Sequence, residues 1–209
     1  ESNWSDRKIT INDALQVASS FQDDDGYYRY FQNQTRDSNS EPNLVLSAYT
    51  LKGFRYLQSL GYPVSEDLVD ELNKKLPGYL KYVEATDRVV QPETSWETLA
   101  TIAGAIENPA QLDSKSLVAL WDNWDKLSWF ARGELVQAMT RKPEFSDRAA
   151  QGIQRLRLAG EQRGLSQVIA DSRDFSYYMG SNLRDQCAVV GTLFKLDKTE
   201  EGRAARERL

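Results

Sequence analysis

The sequence predicts an all-α fold, and three observations predict it. Apolar residues recur at helical spacing: Leu68, Leu72, Leu76, Tyr79 and Val83 follow one another at i+3 or i+4. Start signals stand at the head of the periodic runs, with Ser65 before Glu66 and Asp67, and Thr94-Ser95-Trp96-Glu97 reading as a capping box with Glu97 at its third helical position. Stop signals follow them, with Gly61 after one run and Asn108-Pro109 and Pro143 after others.

Taken in order, the first helix runs from about Ile11 to Phe21 and the second over residues 43–60. In the second, Leu46, Tyr49, Gly53, Tyr56, Leu57 and Leu60 are expected opposite the polar positions Lys52, Arg55 and Ser59. Pro77 should kink or divide the third, because it lacks the backbone N–H and its ring crowds the preceding turn. A fourth runs to Ile106, and Leu117, Leu120, Trp121 and Trp124 begin a fifth. Leu135, Val136 and Met139 mark a sixth; Ala149, Ile153, Leu156 and Ala159 a seventh. Ser181 or Asn182 caps the last, whose apolar face reads Leu183, Cys187, Val190 and Phe194. Short turns imply antiparallel neighbours. Residues 23–42 and 165–181 form longer loops rich in Tyr, Asp, Ser and Asn, with room for short strands.

Composition narrows the function. The 209 residues carry 26 Lys plus Arg against 31 Asp plus Glu, a net charge of -5, which argues against nonspecific nucleic-acid binding. No apolar run approaches the roughly 20 residues a membrane helix needs, so no direct membrane contact is expected. The chain starts at Glu1 without a signal-peptide pattern. There is no histidine, which removes Ser-His-Asp and Cys-His catalysis and His-ligated zinc. A single cysteine, Cys187, forms no internal disulfide and is expected to pack in the core.

Individual candidates have simple readings. Asp23-Asp24-Asp25-Gly26 hints at a calcium loop, but placing Gly26 sixth puts Phe21 first and Gln32 twelfth, where carboxylates are required. A tight turn with Gly26 at positive φ fits better, and no metal site or cofactor is expected. Glu93 and Glu97 beside Trp96, with Asp171 and Asp174, would be the acids of a glycosidase-like site. Trp121, Trp124 and Trp129 are expected to pack between helices. Asn3-Trp4-Ser5 and Asn33-Gln34-Thr35 are formal glycosylation triplets and carry no weight.

Three motifs carry a family resemblance: Gln22-Asp23-Asp24-Asp25-Gly26-Tyr27-Tyr28-Arg29-Tyr30; Leu46-Ser47-Ala48-Tyr49-Thr50-Leu51 closing with Gly61-Tyr62-Pro63-Val64; and Tyr177-Tyr178-Met179-Gly180-Ser181-Asn182-Leu183-Arg184-Asp185. In this order they resemble the thioester-containing helical domain of bacterial alpha-2-macroglobulin-like proteins, over roughly residues 10–197. The resemblance implies an α/α toroid of successive antiparallel helical hairpins, here an incomplete ring with its first hairpin missing. It implies a partial toroid domain over residues 1–197; the charged stretch 198–209 that follows reads as a frayed helix or tail. Cys187 is followed by Ala188, Val189 and Val190 rather than the family's C-x-E-Q, so the thioester has no place in this chain.

The implied function is part of a broad-spectrum endopeptidase inhibitor, not an enzyme. It would trap proteases after bait cleavage, with this domain presenting a thioester located outside the chain. The implied partners are target proteases and neighbouring domains of the same polypeptide. The implied location is the periplasm, with inner-membrane tethering through the full-length protein. Tyr27, Tyr28, Tyr30 and Phe31 are the expected domain-contact loop, and Arg184 is expected to tie down the loop before it. The alternatives are a glycosidase- or lyase-like enzyme on a toroid and a non-catalytic helical interaction module.

Overall fold

The computed structural model describes residues 4–32, 42–80, 96–170 and 180–209, with side chains from Thr10 onward. The fold is all-α, and the chain divides into two compact units, Glu1–Gly78 and Tyr79–Leu209.

The first unit holds α1 (Trp4–Gln16), a 3-10 turn (Ala18–Phe21), α2 (Leu44–Ser59) and most of α3 (Glu66–Leu80). Asn43 caps α2 by accepting from the Leu46 N–H at 3.0 Å. Gly61, at φ +83°, ends it: the Gly61 N–H donates to the Gln58 carbonyl and the Tyr62 N–H to the Leu57 carbonyl. This paired closure satisfies carbonyls that the helix would otherwise leave open.

The buried face of α2 differs from the expected one. Leu44, Val45, Ser47, Ala48, Leu51 and Phe54 are buried, whereas Tyr56 is 66% and Leu60 56% exposed. The α3 stripe is likewise turned, burying Val69, Leu72, Leu76 and Leu80. The helix passes through Pro77 without dividing, ending at Leu80; residues 81–83 of the expected run lie outside the described residues.

The second unit is built around α6 (Trp129–Met139), which packs against α4 (Trp96–Ala105), α5 (Ser114–Asp122), α7 (Ser146–Arg157) and α8 (Asn182–Leu196). Phe130 to Met139 are buried apart from Gln137, as a helix surrounded by neighbours must be. Close approach is required where α7 crosses it, since a Cβ on Gly152 would stand 2.5 Å from Val136 Cγ2. Short 3-10 turns at Pro109–Gln111, Trp124–Lys126 and Pro143–Phe145 join successive helices. Arg141 donates to the carbonyls of Ala103, Gly104 and Ile106 at the end of α4, where a cation complements the helix dipole.

Two strands, β1 (Glu161–Arg163) and β2 (Ser166–Val168), form an antiparallel hairpin between α7 and α8. The charged C-terminal stretch, expected as a frayed helix or tail, contains a helix, α9 (Glu200–Arg208). Thr199 caps α9, and Ala205 is fully buried. Arg157 grips Asp197 with Nε at 2.6 Å and Nη2 at 3.0 Å, fixing the turn between α8 and α9. These bonds hold the Asp197 carboxyl down to about 2, despite its burial.

Candidate functional site

Three helix starts converge in the second unit. Glu97 lies in the first turn of α4, Ser128 caps α6, and Arg184 and Asp185 open α8. Each start presents backbone N–H groups with no partner inside its own helix, and carboxylates suit them. The Ser128 hydroxyl donates to Glu97 Oε1 at 2.6 Å and its N–H to Oε2 at 3.1 Å. The same hydroxyl oxygen accepts from the Ala131 N–H. Asp185 Oδ2 accepts from the Trp129 N–H at 3.1 Å. Arg184 joins the two acids: Nη2 lies 3.4 Å from Glu97 Oε1 and 3.1 Å from Asp185 Oδ1, and the guanidinium lies over the Phe130 ring at 4.4 Å.

Glu97 and Asp185 are each 3% exposed. Burial pushes the Glu97 carboxyl above its ordinary range; Asp185 adds to this, while Ser128 and Arg184 oppose it. Ser128 and Arg184 engage the Glu97 carboxylate, while Thr94 and Ser95 of the expected capping box lie outside the described residues. Bound this way, the Glu97 carboxylate ties the start of α4 to the starts of α6 and α8. Glu93, Asp171 and Asp174 lie outside the described residues, as do Tyr177, Tyr178 and Met179 of the third motif. Among the described residues Arg184 ties α8 to α4 and α6, and residues 171–179 of the loop it is expected to tie down lie outside the described residues. Sequence reasoning missed Ser128; its signal was a Ser before the apolar run Trp129-Phe130-Ala131.

The aromatic loop of the first unit is organised by Asp23. Its buried side chain accepts from the Asp25 and Tyr27 N–H groups and pairs with Arg29 at 2.7 Å. Gly26 turns the chain at φ +77° beneath the Glu71 carboxylate, as the turn reading expects, and Gln22 bridges to Tyr28 as an isolated antiparallel pair.

The four loop aromatics separate into two pairs. Tyr27 and Tyr28 face inward at 8% and 5% exposure, whereas Tyr30 and Phe31 stand out at 54% and 72%. The Tyr28 N–H donates to Ser47 Oγ at 2.9 Å, and its ring meets Phe54 edge-on at 5.6 Å. Burial, with the Glu71 charge adding to it, pushes the Tyr28 hydroxyl well up.

Cys187 is exposed, correcting the expectation that it packs in the core. The face it shares with Leu183, 74% exposed, and Phe194, 66% exposed, points outward. The helix instead buries Asp185, Val189, Thr192 and Leu193. Trp121 and Trp124 do meet, edge to face at 5.2 Å. Arginines complete that group: Arg155 lies over Trp121 and Trp124, and Arg132 over Trp124 and Trp129. Among the described residues no group of His, Cys, Asp or Glu is placed to hold a metal ion. No helix of the described residues is long and apolar enough to cross a membrane.

No protein-family model and no curated protein matches the chain. Solved structures do. The trypsin-activated alpha-2-macroglobulin of Escherichia coli matches with a TM-score of 0.71 at 16% identity, over 97% of this chain and 13% of that one. The Salmonella alpha-2-macroglobulin mutant Y1175G matches with a TM-score of 0.72 at 17% identity, over 98% and 13%. A native Escherichia coli alpha-2-macroglobulin fragment, from domain MG7 to the C-terminus, matches with a TM-score of 0.69 at 17% identity, over 99% and 31%. The chain spans a small part of each neighbour, and what it shares with that part of these bacterial alpha-2-macroglobulins is its fold.

Proposed function

We propose that this chain is a scaffold domain of a broad-spectrum endopeptidase inhibitor that traps proteases after bait cleavage. The observation that carries the reading is the fold match over 97–99% of the chain to alpha-2-macroglobulins, one of them solved in a trypsin-activated state. A further neighbour is the Escherichia coli protein activated by porcine elastase, which supports proteases as partners. The helices complete an α/α toroid with a hairpin from outside this sequence, and the reactive thioester lies outside the chain. The domain scaffolds and presents that bond and performs no catalysis of its own. Exposed Tyr30 and Phe31, on a loop braced by Asp23, Arg29, Tyr27 and Tyr28, form the contact with a neighbouring domain. The full polypeptide works in the periplasm, tethered to the inner membrane.

The test uses the full polypeptide that carries this chain. After incubation with excess inhibitor, trypsin should lose activity on a protein substrate while still cleaving a small chromogenic peptide. Unchanged cleavage of the protein substrate would overturn the reading. Intact mass with and without methylamine then locates the thioester. A gain of one methylamine, prevented by earlier protease cleavage, places it elsewhere in the polypeptide; no gain with trapping intact identifies a trap that works by enclosure.

A further inference from the structure

We draw no further inference here: the strongest candidate, the exposed apolar face of α8 formed by Leu183, Cys187 and Phe194, carries nothing because nothing in the structure shows what covers it.

Discussion

Arg184 places Nη2 3.4 Å from Glu97 Oε1 across a separation of 87 residues. One guanidinium thereby holds the starts of α4 and α8 together, with Asp185 and Ser128 completing the junction. Removing it would leave two buried carboxylates without that counter-charge. Such a loss outweighs the missing contacts themselves, because desolvated charge is costly. Arg184→Ala should destabilise the second unit by about 3 kcal/mol. The neighbouring Leu183→Ala, at an exposed position, should stay within about 0.5 kcal/mol. Urea unfolding of both variants checks this, and equal midpoints would refute the junction's structural role. Lysine at 184 should restore only part of the loss, because an ammonium lacks the planar group whose Nε and Nη2 both donate to Asp185 and whose face lies over the Phe130 ring.

Glu97 gives the junction a pH dependence of unusual sign. Its folded-state value is raised above 4.5, chiefly by burial. The folded chain thus holds this proton more tightly than the unfolded chain does. Glu97's contribution to stability must fall as pH rises from about 4.5 through its folded value. Glu97→Gln should remove that slope while leaving a carbonyl oxygen to accept from Ser128. Denaturation midpoints measured between pH 4.5 and 8 should therefore show the variant losing less stability than the parent. A difference that does not change with pH would contradict this.

Asp197 runs the other way. Its folded value is lowered to about 2, first by the Arg157 hydrogen bonds. Its contribution is complete above the ordinary carboxylate range and disappears as pH falls from about 4 towards 2. Asp197→Asn should cost about 2 kcal/mol at neutral pH, the scale of losing charge-assisted hydrogen bonds. The loss should appear first as faster amide exchange in α9, whose cap residue Thr199 also donates its hydroxyl to Asp197. Exchange in α9 that matches the parent would show that Arg157 and Asp197 do not anchor that helix.

Local features were legible in the sequence, and features set by distant partners were not. Gly61 could be read as a helix stop because its closure uses residues 57–62 alone. The Asp23–Gly26 turn was readable for the same reason. The α8 face was misread. Leu183, Cys187, Val190 and Phe194 have the 4-3-4 spacing of a core stripe, whereas the true inner face contains Asp185 and Thr192. Those polar residues can be buried because Trp129 donates to Asp185 and Gln137 to Thr192, partners no local pattern reveals. On α2 the inner face likewise contains Ser47, which receives the Tyr28 N–H. The Glu97–Arg184 contact is invisible without the fold that joins them.

Gly26 tests the first motif. At φ +77° an L side chain is strained, and a Cβ would stand 2.2 Å from Glu71 Oε1. The carboxylate is the end of a flexible side chain and can move, although it would then leave Lys75, 2.8 Å away. The backbone part cannot relax in this way. Gly26→Ala should cost about 1–2 kcal/mol from the left-handed conformation alone. Most of that loss should persist when Glu71 is also replaced by Ala. Full recovery in the double variant would assign the cost to the clash instead, as thermal melts of the single and double variants would reveal.

The loop aromatics should divide by burial when they are replaced. Tyr28 fills space against Phe54 at 5% exposure, and truncating a buried aromatic ring costs about 3 kcal/mol or more. Tyr28→Ala should therefore destabilise this chain by itself and says nothing about partners. Tyr30→Ser and Phe31→Ser remove side chains that are 54% and 72% exposed, so the isolated chain should melt within about 0.5 kcal/mol of the parent. In the full polypeptide the same pair should loosen the neighbouring domain, read as faster limited proteolysis between domains. If the double Ser variant destabilises the isolated chain, the loop is part of the core. If it changes neither property, the two aromatics are not the contact.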